Sequence, residues 1–254
     1  IKMIKNFFNT PVIFHKTIKT IGIGESWLSD LVQNWEKKMN KNIDLAYLPS
    51  IGQVKLRLTA KGNNKMYLEK IVDEEIRKIL PTIRKYVYGF DDEKIEESIA
   101  KLLINNNKTI AVAESCSGGL VSHMLTSIDG SSNYFIGSII SYNDKIKTEE
   151  LSIPTNILNK KGAVSEEVVK IMAQNIRIKY KASIGIASSG IAGPTGGTKE
   201  KPVGTIWIAY SDSKKTMTKK LKLTKKRSLN VQLTAINLLN MIRLNIIETQ
   251  QLSL

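Results

Sequence analysis

Residues 109–120 read TIAVAESCSGGL. An apolar, strand-like run stops at Glu114, three small polar residues and two glycines follow, and a helical pattern, SGGLVSHMLTSI, takes over. A strand handed to a helix through so short a turn belongs to a layered α/β architecture. The pattern continues downstream. YFIGSIISYN reads as a strand, and SEEVVKIMAQNIRIKY as a helix with Ser165 as its cap and Glu166–Glu167 in its first turn. ASIGIASSG is a strand running into a glycine-rich loop. VGTIWIAYS and TMTKKLKLT form a hairpin, and SLNVQLTAINLLNMIRL closes the chain as a helix.

The first third has a different pattern. PVIFHKTIKTIGI is strand-like and GESWLSDLVQNWEKKMN has helical spacing. IDLAYLP and GQVKLRLTAKG are short strands, the second alternating Val54, Leu56 and Leu58 against Lys55, Arg57 and Thr59. Asn64 caps a helix, KMYLEKIVDEEIRKIL, and KYVYGF closes the unit. The order β-α-β-β-α-β is that of a small α+β sandwich. The expected organisation is a tail or linker at 1–15, an α+β domain at 16–90 and a layered α/β domain at 91–254.

At 254 residues there is room for two such domains. One cysteine, Cys116, excludes an intrachain disulfide and points to a reducing, cytoplasmic setting. No apolar run is long enough to span a membrane, and the start, IKMIKNFFNT, is not a signal peptide. The chain begins at Ile1, which suggests a fragment with sequence missing upstream. The formal charge of +15 invites a polyanion partner, but the lysines are spread over helix surfaces as in a lysine-rich composition at large. The densest run, residues 214–226, alternates like a strand and would turn its lysines to solvent.

The carboxyl edge of an open α/β sheet is where ligands bind. The turn after TIAVAE therefore offers Ser115, Cys116 and Ser117 as nucleophiles, with Gly118 and Gly119 leaving the approach open and the N–H groups of the next helix facing an anion or a developing oxyanion. If the segment stays extended and Ser115 faces the site, Cys116 faces the core. A serine needs a base. His15 lies in the other domain, and His123 is eight residues on, about 12 Å along a helix at ~1.5 Å per residue, so a histidine triad is disfavoured. A lysine or tyrosine can serve instead, and SYNDKIK supplies Tyr142, Lys145 and Lys147 past the end of a strand. The loop SSGIAGPTGGTKEKPVG fits neither nucleotide-binding glycine fingerprint, but its backbone N–H groups suit a carbonyl oxygen or a phosphate. No His, Cys and carboxylate cluster has metal-ligand spacing.

The segments AESCSGGLVSHMLTSIDGSSNYFIGSIISYNDKIK, GAVSEEVVKIMA and SGIAGPTGGTKEKPVGTIWIA, with the final helix, resemble the C-terminal domain of the CinA family. That domain is a nicotinamide-nucleotide amidohydrolase. Residues 10–90, with GIGES and VKLRLTAKG, resemble the family's KH-like middle domain. The resemblance implies that an N-terminal molybdopterin-binding-like domain is missing. It implies hydrolysis of nicotinamide mononucleotide to nicotinic acid mononucleotide and ammonia, without a metal or organic cofactor, by a homodimer. It implies Ser115 as the nucleophile, with Tyr142 and Lys147 to polarise or deprotonate it. Ser117, Gly118, Gly119, Ser189, Gly190 and Arg227 are implied as substrate contacts. Ser117 stands where the family often has threonine, and Lys225–Lys226 where a Gly-Asp commonly precedes the arginine. The rival expectation is a non-catalytic nucleotide- or nucleic-acid-binding protein linked to competence or DNA damage. It draws on the basic charge but lacks a clear GXXG clamp, GIGE at 22–25 coming nearest.

Overall fold

The computed structural model describes residues 11–251. The part of the expected tail at residues 1–10 lies outside them, while residues 12–15 already belong to the first strand. The chain divides into two compact units that part between Glu93 and Lys94.

The smaller unit runs β1 (Val12–Ile21), α1 (Glu25–Glu36), β2 (Ile43–Ser50), β3 (Gln53–Gly62), α2 (Lys65–Ile83), β4 (Val87–Phe90), the order expected from the sequence. Its antiparallel sheet has the order β2-β3-β1-β4. The alternation seen in the sequence is the reason: Val54, Leu56 and Leu58 are buried with Leu28 and Val32 of α1 and Leu68, Val72, Ile76 and Ile79 of α2. Asn64 caps α2 by accepting from the Tyr67 amide at 3.1 Å.

The larger unit is a three-layer α/β fold. Its elements are α3 (Ile95–Asn105), β5 (Ile110–Glu114), α4 (Leu120–Thr126), β6 (Phe135–Ile140), α5 (Asp144–Leu151), α6 (Thr155–Lys161), α7 (Glu166–Lys179), β7 (Ile184–Gly190), β8 (Thr205–Ser211), β9 (Thr216–Lys222) and α8 (Arg227–Gln251), with a short 3₁₀ turn at Ser131–Asn133. The sheet order is β6-β5-β7-β8-β9, with β5 parallel to both β6 and β7, and β8 and β9 antiparallel. All five residues of β5 are buried because both faces of the sheet are covered. Ala111, Ala113, Ala187 and Ala209 pack under Val168, Val169, Met172, Ala173 and Ile176 of α7. The small alanines let α7 lie close, and α3, α4 and α8 form the opposite layer. In β9, Lys220 and Lys222 share one exposed face, as the alternation implied, while Lys219 is exposed on the other face beside buried Leu221; this charged edge discourages strand addition. Lys220 Nζ also sits 5.8 Å from the Trp207 ring centre.

Two features differ from the sequence reading. The helix after β5 begins at Leu120 instead of near Ser117, since Gly118 (φ +62°) and Gly119 (φ +100°) hold left-handed conformations that a continuing helix cannot use. And the segment after β6, to which the sequence reading assigned no helix, holds α5 and α6; α5 carries Lys147 to the site.

Candidate active site

Winding from β5 to β6 runs one way across the sheet, and from β6 to β7 it runs back across β5. The helix after β5 and the helix before β7 therefore lie on opposite faces. A crevice opens at the strands' carboxyl ends at such a reversal. Here it is a hollow of about 190 Å³ lined by Ser115, Cys116, Tyr142, Lys147, Ser189, Gly190 and Arg227, together with Asp144, Ala163, Val164 and Ala192.

Ser115 follows directly on β5, and its amide donates to Ser188 O of β7 at 3.0 Å. It is 8 % exposed. The turn that presents it is anchored from below by Glu114, whose side chain is fully buried. Glu114 Oε2 accepts from the amides of Gly119 (2.9 Å) and Val121 (3.2 Å), and Oε1 from the amide (2.8 Å) and hydroxyl (2.6 Å) of Ser122. The N–H groups at the start of α4, expected to face a ligand, are thus occupied by the protein's own carboxyl group. Negative charge at a helix start is favourable, and the backbone donors need partners once buried. The signal in the sequence was a glutamate ending an apolar strand immediately before a glycine turn.

Ser117 is also corrected. It is 2 % exposed and its hydroxyl lies 2.6 Å from Ser188 Oγ, so it braces β5 against β7 and does not line the hollow. Gly118 and Gly119 are likewise absent from the lining. A side chain at Gly118 would meet nothing within 4 Å, whereas one at Gly119 would press on Ile140 Cδ1 at 3.1 Å. Ser189 and Gly190 do line it. Ser189 Oγ donates to Ala163 O at 2.7 Å, which fixes the link before α7 over the end of β7. A Cβ at Gly190 would come within 2.8 Å of Ile206 Cα, so glycine is required there by the close approach of β8.

Cys116 was expected to face the core by strand alternation. The backbone has left the strand at Ser115, so that premise fails and Cys116 touches the same hollow. Its reactivity is suppressed for another reason. Desolvation pushes the thiol pKa up to about 12, against a hydrogen bond to Ser188 that lowers it. At pH 8 it is a protonated thiol. Iodoacetamide is therefore expected to leave the native protein unmodified and to alkylate the urea-unfolded chain, as read by intact mass; equal labelling of both would contradict this burial.

The residues alone leave Lys145 and Lys147 as alternatives, and the choice of Lys147 rests on the family resemblance. On α5, positions two apart point to opposite sides. Lys145 is exposed and pairs with Glu149 at 3.8 Å. Lys147 is 1 % exposed, and its Nζ contacts Ser141 O (2.8 Å), Tyr142 O (3.3 Å) and Asp144 Oδ1 (3.3 Å). Three acceptors match the three donors of a lysine ammonium, so in this arrangement Lys147 offers a positive charge at the wall of the hollow. Asn143 caps α5 by accepting from the Lys145 amide at 2.9 Å. That asparagine and the following Asp144 were the missed helix signal, and Asp144 three residues before Lys147 was the missed partner.

Tyr142 and Arg227 close one side. Arg227 Nη2 donates to Tyr142 Oη at 2.7 Å and Nη1 to Gly193 O at 3.0 Å. Arg227, at the first turn of α8, is thereby aimed at the hollow and tied to the glycine loop. Neither histidine takes part: His15 is exposed on β1 of the smaller unit and His123 is exposed on α4.

Residues 92–246 match the CinA C-terminal domain, and residues 15–89 match the KH domain of the damage-inducible protein CinA. A CinA-like protein from Cytophaga hutchinsonii is 52% identical over 240 residues, 94% of this chain and 57% of that one. A putative competence-damage inducible protein from Halothermothrix orenii is 40% identical over 203 residues, 80% of this chain and 49% of that one. The chain spans about half the length of these curated relatives. Among solved structures, the competence/damage inducible protein CihA from Agrobacterium tumefaciens superposes with a TM-score of 0.57 at 31% identity, covering 60% of this chain and 97% of that one. A CinA-superfamily protein from Klebsiella pneumoniae gives 0.59 at 26% identity over 61% and 99%. With one domain model covering the smaller unit and another the larger, this chain belongs to the CinA family.

Proposed function

We propose that the chain hydrolyses the carboxamide of nicotinamide mononucleotide, releasing ammonia and nicotinic acid mononucleotide. The observation that carries this reading is the convergence of Ser115, Tyr142, Lys147 and Arg227 on one hollow at the carboxyl edge of the sheet. In the proposed reaction Ser115 Oγ bonds to the carboxamide carbon. The serine proton passes through the Tyr142 hydroxyl to the departing nitrogen, the C–N bond breaks and ammonia leaves. Water then cleaves the Ser115 ester. The charge of Lys147 favours the negative oxygen that develops during both steps. At about 190 Å³ the hollow is smaller than the ~300 Å³ of an ordinary ligand site, so it accepts the pyridine carboxamide and leaves the sugar phosphate outside. There Arg227 offers a planar fork suited to phosphate, and a second, open hollow of about 390 Å³ runs along the glycine loop past Lys225.

Purified protein is expected to release ammonia and nicotinic acid mononucleotide in equal amounts from nicotinamide mononucleotide. Tight binding of unchanged substrate, with no ammonia on prolonged incubation, would overturn the amidase reading and leave a nucleotide-binding protein.

The names of the relatives favour the second reading, a role in competence or DNA damage through nucleic acid. The distribution of charge weighs against the KH-like unit as its carrier. Residues 11–93 hold 14 basic and 11 acidic side chains, whereas residues 94–254 hold 22 and 12.

A further inference from the structure

The positive charge of the larger unit has a second focus, at the opposite edge of its sheet. Ile110 and Ile184 begin the parallel strands β5 and β7. Beside that edge lies a hollow of about 540 Å³, well above the volume of the Ser115 hollow and within the ~300–1,000 Å³ of small-molecule sites. It is bounded by the α3–β5 link, the end of α7, the start of β7, the β8–β9 turn and Ile246 of α8.

Four cations line it: Lys108, Arg177, Lys214 and Lys215. Among the described residues only Lys215 has a carboxylate partner, Glu248, at 3.5 Å and half-exposed. The one acid in the lining, Asp212, is already engaged. Its Oδ1 accepts from the amides of Lys214 and Lys215, and its Oδ2 from Tyr210 Oη. It shapes the turn and does not neutralise the site's cations by direct contact. Arg177 is only partly buried. Its Nε is closed off from the hollow, so the exposed part of the residue is what lines it. The rest of the lining includes Ala182, Ile184 and Ile246, which give the hollow an apolar wall next to the Tyr210 ring.

We propose that this hollow is a second ligand site, for a small phosphate monoester with an apolar or ring-shaped body. The Arg177 guanidinium and the lysine ammonium groups hold the dianion, and the apolar wall takes the body of the ester. The site is separate from the Ser115 hollow, since the two share no lining residue and lie at opposite ends of β7.

Phenyl phosphate is the probe, followed by isothermal titration against the full chain. A binding event is expected that weakens about tenfold or more in Arg177→Gln and in Lys214→Gln and that persists in Arg227→Gln, which removes only binding of the probe at the Ser115 hollow. Lys214 is on an exposed turn, so its variant keeps the test valid if Arg177→Gln folds poorly. Inorganic phosphate is expected to bind more weakly than the phenyl ester. Equal affinity in Lys214→Gln and the wild type, loss confined to Arg227→Gln, or no binding up to about 10 mM would each overturn the proposal.

Discussion

Ser115→Ala is expected to lower ammonia release from nicotinamide mononucleotide by about 10⁴-fold or more, while changing the affinity for substrate only a few fold. The hydroxyl is the atom proposed to bond to the carboxamide carbon, and no neighbouring group can substitute for it. Cys116 is the nearest rival, but its thiol is kept protonated by burial. Ser117 is turned to Ser188. The substitution removes one oxygen from a residue that is 8 % exposed and follows a rigid strand, so the fold should not respond. Two measurements separate mechanism from damage. Rapid acid quench of the wild type is expected to show a mass gain for the acyl ester on the peptide bearing Ser115, and the variant is expected to show none. A Ser115→Ala protein with ammonia release near that of the wild type would sink the serine mechanism outright.

The same region shows where the sequence was readable. The run from Ile110 to Ala113 followed by a glycine turn fixed both the layered fold and the edge at which chemistry would occur, because a chain that ends a buried strand there has little other choice. The order of strands and helices on either side followed from hydrophobic period alone. What escaped was set by contacts distant in sequence or by short helices. The seven residues after Asp144 carry too few apolar positions to announce a helix by period, so Lys145 and Lys147 looked equivalent until α5 set them on opposite sides. Ser117 looked like a helix-start residue because its partner, Ser188, is 71 residues away. Glu114 looked like a strand terminator, because a glutamate before a glycine turn does not by itself say that its carboxyl group is directed back under that turn.

Glu114 is also where the largest loss of stability is expected. Glu114→Ala leaves the amides of Gly119, Val121 and Ser122 and the Ser122 hydroxyl without their acceptor, in a place where Val121 is fully buried and water has poor access. Each abandoned buried donor costs about 1–3 kcal/mol, but some relaxation is available at Ser122, which is only partly buried, so the total should fall near 3–5 kcal/mol. At roughly 2–4 °C per kcal/mol for a unit of this size, the melting temperature of the larger unit should drop by about 10 °C. Glu114→Gln is the sharper variant. It keeps the shape and one acceptor oxygen but points an NH₂ group at backbone donors, so it should be destabilising despite its near-identical volume. A merely space-filling Glu114 would predict that glutamine is harmless and that alanine is costly through its cavity alone. Thermal denaturation of the two variants decides between these. A melting temperature of Glu114→Gln within about 2 °C of the wild type would remove the carboxyl group from its role as the anchor of the turn. If the anchor is real, Glu114→Gln should also lose ammonia release at temperatures where it is still folded. Ser115 is the next residue in the chain, and its position over the hollow depends on the turn that Glu114 holds.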